Sequence, residues 1–284
     1  MSGCATAGDA TPRSIRVELP RTAYYTGEVV EGAVVVEATS EVPSRGLYVD
    51  VVGREETRIE RGSGKNRHVY RSSRDHVAWR LPLQGEGQVA PGTHRFPFRF
   101  QIPFEALPSY HGPHATIAYT LTARLDVPLW LDTVWSGEVF VFYDRSSVRT
   151  FAHPVRFRSG GAGPEVYVEL DGERFFAREL IGCRITLDRL AGARVRRVYV
   201  RLLGGEWARA DSADETTSTY RQEWAIPMEA IRVGVPFEFE IPIPADVQSS
   251  YRGAFSYLTY MLLIGLDIAW GYDIVAQTPV VIVR

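Results

Sequence analysis

Lysine is all but missing from this sequence: Lys65 is the only one in 284 residues, so arginine carries nearly all of the basic charge. Cysteine is scarce too. Cys4 and Cys183 are the only two, which excludes a disulfide framework. Cys4 falls in a small, polar N-terminal stretch. Cys183 falls on the apolar side of an expected strand, where a thiol behaves as a small inert hydrophobe. No apolar run approaches the ~20 residues that a membrane-spanning helix needs. Met1 to Pro12 shows neither a basic n-region nor an apolar stretch, so no signal peptide is expected and a cytoplasmic location follows. Neither charge sign dominates, since the formal net charge is −2. That gives no general attraction to nucleic acid, which is not an expected partner.

What is present is alternation. Phe96, Phe98, Phe100 and Ile102 are interleaved with Pro97, Arg99 and Gln101. Ile117, Tyr119, Leu121, Ala123, Leu125 and Val127 are interleaved with Ala118, Thr120, Thr122, Arg124 and Asp126. Period-two patterns of this kind bury one face of a strand and wet the other, as the strands of a sandwich do. Glycine and proline punctuate them at Gly27, Gly53, Gly62, Pro91-Gly92 and Gly112-Pro113, the positions where turns are expected.

The punctuation then returns. Val17-Glu18-Leu19 reappears as Val168-Glu169-Leu170, and Tyr48-Val49 with Gly53 as Tyr199-Val200 with Gly204, in each case 151 residues later. Phe96-Pro97-Phe98 through Ile102-Pro103 answers to Val235-Pro236-Phe237 through Ile241-Pro242 at a spacing of 139. Ser109-Tyr110-His111-Gly112 answers to Ser250-Tyr251-Arg252-Gly253 at 141, as Leu125-Asp126-Val127 does to Leu266-Asp267-Ile268. Preserved order and spacing imply an internal duplication. The expectation is an all-β chain of two tandem immunoglobulin-like antiparallel β-sandwich domains, at 14–144 and 165–284. A disordered tail is expected over 1–13 and a linker over 145–164, the latter including Gly160-Gly161-Ala162-Gly163-Pro164. The drop in spacing from 151 to 139 places twelve extra residues in the first copy, shared between two loops flanking the Trp79 strand.

Several repeated residues form a known pattern. Tyr25-Thr26-Gly27-Glu28-Val29-Val30-Glu31-Gly32 resembles the opening of arrestin-fold domains, with Thr26 where proline is common. Pro91-Gly92 to Phe98, then Ile102-Pro103 and Leu107-Pro108-Ser109, resembles the central arrestin signature, and Ile117-Ala118-Tyr119 the strand after it. The resemblance covers nearly the whole chain. It is closest to the α-arrestins and their bacterial relatives, including sporulation-control proteins, with the retromer's arrestin-like subunit a more distant likeness, and it implies a bacterial or archaeal arrestin-related chain of the sporulation-control type. It implies a non-enzymatic adaptor or scaffold that binds protein partners through concave sheet faces, strand edges and loops. The alternative it implies is a bacterial stress or sporulation-type regulator acting by self-association or a membrane-linked partner. Pro-Pro-x-Tyr motifs, which α-arrestins use to recruit ubiquitin ligases, are not found in these 284 residues, and no tail is expected after the strand Val280 to Arg284. Neither that mechanism nor a tail latch is expected here.

Catalytic patterns are present only as fragments. His111 and His114 are the only close histidine pair, yet no cysteine or carboxylate beside them completes a metal site. Gly62-Ser63-Gly64-Lys65 is a fragment of a phosphate loop with no helix to follow. Glu55 and Glu56 are adjacent, so on a strand they point oppositely and cannot act as an acid/base pair. No enzyme activity, metal or cofactor is expected, and a hydrolase or metalloenzyme is the least favoured reading. Two surfaces are expected to bind partners. The stretch from Arg61 to Arg74 holds Arg61, Lys65, Arg67, Arg71 and Arg74 with no acidic residue up to the last of them, suited to phosphate, an acidic peptide or anionic headgroups. Met261 and Leu263 place apolar side chains on the outer face of a strand whose first-copy equivalent shows Thr120 and Thr122. Such a face calls for a cover: the rest of the molecule, a second copy in a homo-oligomer, or a cargo segment. Peripheral membrane association remains a third class of contact.

Overall fold

A computed structural model describes residues 14–128, 131–148, 154–159, 161 and 163–284. The expected tail 1–13, with Cys4, and positions 149–153, 160 and 162 of the expected linker lie outside the described residues. The first half forms β1 (Ser14–Glu18), β2 (Ala23–Tyr25), β3 (Val29–Ala38), β4 (Val42–Ser44), β5 (Gly46–Arg61), β6 (His68–Gln84), β7 (Gly87–Val89), β8 (Gly92–Gln101), β9 (Tyr110–His111), β10 (Ala115–Asp126) and β11 (Thr133–Phe142). The second forms β12 (Val155–Arg158), β13 (Glu165–Leu170), β14 (Arg174–Phe176), β15 (Leu180–Asp188), β16 (Val195–Ala210), β17 (Ala213–Pro227), β18 (Phe237–Pro242), β19 (Tyr251–Arg252), β20 (Ser256–Ile268) and β21 (Ile274–Val283).

The duplication is visible in the sheets. The first copy has sheets in the order β1-β3-β8 and β2-β11-β10-β5-β6, with β9 on β10. The second repeats them as β13-β15-β18, extended by β12 at one edge, and β14-β21-β20-β16-β17, with β19 on β20. The alternating residues face inward as their period requires. Ile117, Tyr119, Leu121, Ala123 and Leu125 are buried in one copy, and Leu258, Tyr260, Leu262, Ile264 and Leu266 in the other.

Three features depart from the sequence reading. The sandwiches are not wholly antiparallel, because β2 runs parallel to β11 and β14 parallel to β21. Each is a three-residue strand laid along the open edge of the last strand, too short to leave a period. Part of the expected linker, Val155–Arg158, is strand β12 and pairs with β13. Val155 and Phe157 alternate there with two arginines, which is strand patterning. One part of the first copy's extra length is also structured, since β7 pairs with β4 as a ribbon that the second copy lacks.

Two compact units result. One holds the chain up to Glu55, Ser73–Ser109 and Thr116–Phe142; the other holds Glu56–Ser72, Tyr110–Ala115 and Tyr143–Arg284. The outer part of the β5–β6 hairpin and the short Tyr110–Ala115 turn thus cluster with the second unit.

The repeated motif residues have definable tasks. In the first unit the Tyr119 ring lies on Gly53, where an added Cβ would stand 2.4 Å from a ring carbon. Its hydroxyl donates to the Leu107 carbonyl at 2.7 Å. In the second unit Tyr260 lies on Gly204 in the same way, 2.8 Å from an added Cβ, and donates to the Gln248 carbonyl at 2.8 Å. Tyr48 and Tyr199 repeat a second arrangement with its charges exchanged. Arg80 lies 4.0 Å over the Tyr48 ring and is held by Asp50, whereas Arg201 lies 4.0 Å over Tyr199 and is held by Glu223. The Tyr25–Glu28 segment is a tight turn closed by the Glu28 N–H on the Tyr25 carbonyl at 3.1 Å. Gly27 takes φ +83° there; its counterpart Arg178 adopts φ +69°, a left-handed conformation that side chains disfavour.

Cys183 is fully buried on β15. Burial, and then the nearby Asp171 and Glu238 charges, push its thiol up to about 12. The thiolate is the reactive form. In a chain carrying Cys4→Ser, native Cys183 is therefore expected to react with a disulfide reagent at pH 8 about a thousandfold more slowly than in denaturant. A native rate within a factor of ten of the denatured rate contradicts the buried, inert assignment.

Candidate functional site

The second unit contains a buried carboxylate that fastens a turn. Glu206 sits on the inward register of β16 and is fully buried. One oxygen accepts from the Tyr110 hydroxyl at 2.8 Å and the other from the His114 N–H at 2.9 Å. Buried polar atoms are costly unless paired, and these two bonds pin both ends of the Tyr110–Ala115 turn. The turn is fastened further. Gln248 donates to the His111 carbonyl and accepts its N–H, both at 3.0 Å, and the Tyr110 ring lies 4.7 Å from that of Tyr251.

Beside it the tip of the β5–β6 hairpin packs on the end of the β16–β17 hairpin. Ile59, Ala210 and Ala213 form a small apolar cluster joined by Tyr70. Thr57 donates to the Arg209 carbonyl at 2.7 Å, and the Asp211 N–H donates to Ser72 at 2.9 Å. The result is a fixed platform from which residues 61–68 project.

The five basic residues are not equivalent on this platform. Arg61 pairs with Glu215 at 2.8 Å and donates to the Asp214 carbonyl at 2.6 Å. Arg67 is bound to Glu60, whose carboxyl its hydrogen bond holds below the ordinary range. The expectation of five cations without counter-charge therefore needs correcting. The acids come from outside the 61–74 window, one immediately before it and one from β17. Lys65 and Arg71 are exposed in the second unit, and among the described residues no acid pairs with either. Arg74 is also exposed but belongs to the other unit.

Met261 and Leu263 lie on the outer face of β20 and are half-buried. Met261 stands opposite Pro279 and Leu203, and Leu263 opposite Gln277 and Arg201. With Arg201 and Glu223 on the same face, the apolar area is a small island among charged groups, not a continuous surface. The histidine pair is drawn into the turn: the His114 ring lies 3.1 Å from the Thr217 hydroxyl. Among the described residues no group of three His, Cys, Asp or Glu is placed to hold a metal ion, and no helix is long and apolar enough to cross a membrane.

Glu55 is also fully buried, 2.9 Å from the His76 ring. It is the repeat counterpart of Glu206, 151 residues earlier. Asp126 and Asp267 are also repeat counterparts, at the spacing of 141, and pair with Arg45 at 3.8 Å and with Arg196 and Arg197 respectively. Burial pushes the Asp267 carboxyl up, but the two arginine hydrogen bonds outweigh it and bring it below its ordinary value.

Among the comparisons with known proteins, the family match falls on the first half of the chain. Residues 14–142 match the family model of the arrestin (or S-antigen) N-terminal domain. Over 120 residues the chain is 36% identical to mouse (Mus musculus) arrestin domain-containing protein 4, covering 37% of this chain and 28% of that protein. It is 30% identical over 114 residues to arrestin domain-containing protein 1 of Rattus norvegicus, covering 40% and 25%. With human (Homo sapiens) arrestin domain-containing protein 4 it shares 33% over 147 residues, covering 45% and 35%. The chain thus spans about a quarter to a third of these relatives' length. All three are mammalian, so the expected likeness to bacterial or archaeal sporulation-control proteins gains no support from them.

Proposed function

We propose that this chain is a non-enzymatic, arrestin-like adaptor that holds an acidic, extended segment of a protein partner at the tip of the β5–β6 hairpin. The observation that carries the reading is the contrast within the basic cluster. Arg61 and Arg67 are consumed by structure, whereas Lys65 and Arg71 are presented to solvent on a preorganised platform. Edge strand β6 supplies backbone groups that an extended segment can pair with, and the exposed cations supply selectivity for acidic side chains. The likeness of the first half to an arrestin N-terminal domain supports an adaptor rather than a catalyst.

The test is capture of partners followed by affinity measurement, with the wild-type chain and the Lys65→Ser/Arg71→Ser variant. Loss of two exposed charges is expected to weaken binding about tenfold at low salt, and the difference is expected to shrink as salt screens it. Equal binding by the two chains, or an effect indifferent to salt, overturns the assignment.

A further inference from the structure

The three-stranded sheet of the first unit is stepped. β1 pairs with β3 only as far as Glu18, opposite Ala33, whereas β3 runs on to Val29 with β8 beside it throughout. The chain leaves the sheet there through Leu19 and Pro20, and proline has no N–H with which to prolong a ladder. The step opens a cleft of about 650 Å³ with an apolar wall of Leu19, Pro20, Pro97 and Phe98. Gly32 lets that wall close. An added Cβ there would stand 2.7 Å from the Phe98 ring and 2.8 Å from the Leu19 side chain.

The charged side chains that border the cleft are not alike. Glu18 is bound by both Arg16 and Arg95. Glu31 and Arg99 line the cleft from directly opposite positions on β3 and β8, both exposed and neither ion-paired among the described residues. Opposite charges so placed ordinarily attract each other across a sheet. Here they are parted, one cation and one anion bordering the same space beside an apolar wall. The second unit has no such arrangement. Its ladder runs one pair further, to Leu170 opposite Cys183. The Asp171 carboxylate lies 2.5 Å from where a Cβ on Gly182 would stand, and Gly182 faces Glu240. Acids, not a charge pair, meet at that step.

The complement of the first unit's cleft is a ligand with both charges and an apolar body. The volume falls in the range of small-ligand sites, roughly 300–1,000 Å³. Directly opposite strand positions set their Cβ atoms about 5 Å apart, a spacing that suits the two termini of a dipeptide. We propose that this cleft binds a short apolar peptide as a zwitterion, its carboxylate on Arg99, its ammonium on Glu31 and its side chains against Leu19, Pro20 and Pro97. The site belongs to the first unit, whereas the hairpin tip belongs to the second, and it does not rest on the adaptor reading. The experiment is isothermal titration of the full chain with leucyl-phenylalanine, beside its N-acetylated and its C-terminally amidated forms. The free dipeptide is expected to bind at one site, and each blocked form about tenfold more weakly. Arg99→Gln is expected to bind the free dipeptide about tenfold more weakly and to lose the distinction between acid and amide. Glu31→Gln is expected to lose the distinction between free and acetylated amine in the same way. Thermal melts of both variants should match wild type, because the replaced side chains are exposed. Absence of saturable binding at millimolar dipeptide, or equal affinity for the free and blocked forms, overturns the proposal. So do variants that bind all three peptides as the wild-type chain does.

Discussion

Replacing Glu206 with alanine is expected to remove about 3 kcal/mol of unfolding free energy, because it strands a buried donor and a part-buried one at once. Tyr110 and the His114 N–H both point at this carboxylate, and the side chain is fully buried. Each stranded donor costs about 1–3 kcal/mol, and relief of burying the carboxylate offsets part of the sum. Glu206→Gln retains one acceptor and should lose only about 1 kcal/mol. Tyr110→Phe should cost a similar amount, and in the double variant the two losses should overlap by about 1–2 kcal/mol. Urea unfolding monitored by circular dichroism reads these values as midpoint shifts at constant slope. A Glu206→Ala midpoint unchanged from wild type removes the carboxylate from its central role. The alkaline limb adds a check. Burial first, and then the Glu206 charge, raise the Tyr110 phenol well above its ordinary value. A group raised on folding contributes stability that is intact below about pH 10 and is lost as pH rises beyond it. The wild-type chain should therefore lose stability above about pH 10 more steeply than the Tyr110→Phe variant.

How much of this was legible beforehand follows from what each residue does. The copies agree wherever geometry demands one residue type, and those agreements could be read directly. Gly53 and Gly204 recur because a tyrosine ring occupies the space of a side chain. Cys183 and the Leu258–Leu266 series could be placed because strand alternation fixes which face a residue takes. Glu206 was not found, since a charged residue in a mixed strand gives no sign that its partners lie about ninety residues away. Its one signal was the repeat itself: Glu55 and Glu206 keep an acid at the same inward register. The counter-charges of Arg61 and Arg67 were hidden for a related reason. A window of sequence shows its own charges but not those that a neighbouring hairpin brings to it. Glu31 and Arg99 could not be told from the paired charges around them, because a cleft depends on where one strand of a sheet stops rather than on composition.

The pair of tyrosines that close the repeated motif offers the largest effect outside the Glu206 site. Tyr119→Ala and Tyr260→Ala are each expected to cost about 3–5 kcal/mol, the range for deleting a buried aromatic. Two losses combine. The ring leaves a void above Gly53 or Gly204, and the carbonyl of Leu107 or Gln248 loses its donor. Phenylalanine at either position keeps the ring and gives up the hydrogen bond alone, which should cost about 1–2 kcal/mol. Filling the space from the other side should be as damaging as emptying it. An alanine at Gly53 sets its Cβ 2.4 Å from the Tyr119 ring, and the sheet can only answer by moving a buried side chain. Because the ring, glycine and carbonyl are arranged alike in both units, the two phenylalanine variants should agree within about 0.5 kcal/mol. Hydrogen exchange separates them by place: Tyr119→Phe should lower protection in β10, and Tyr260→Phe in β20. Equal protection losses in both strands from either single variant would show that these positions do not act within their own sandwiches. An alanine variant as stable as wild type would remove the ring-on-glycine contact from among the determinants of the duplicated fold.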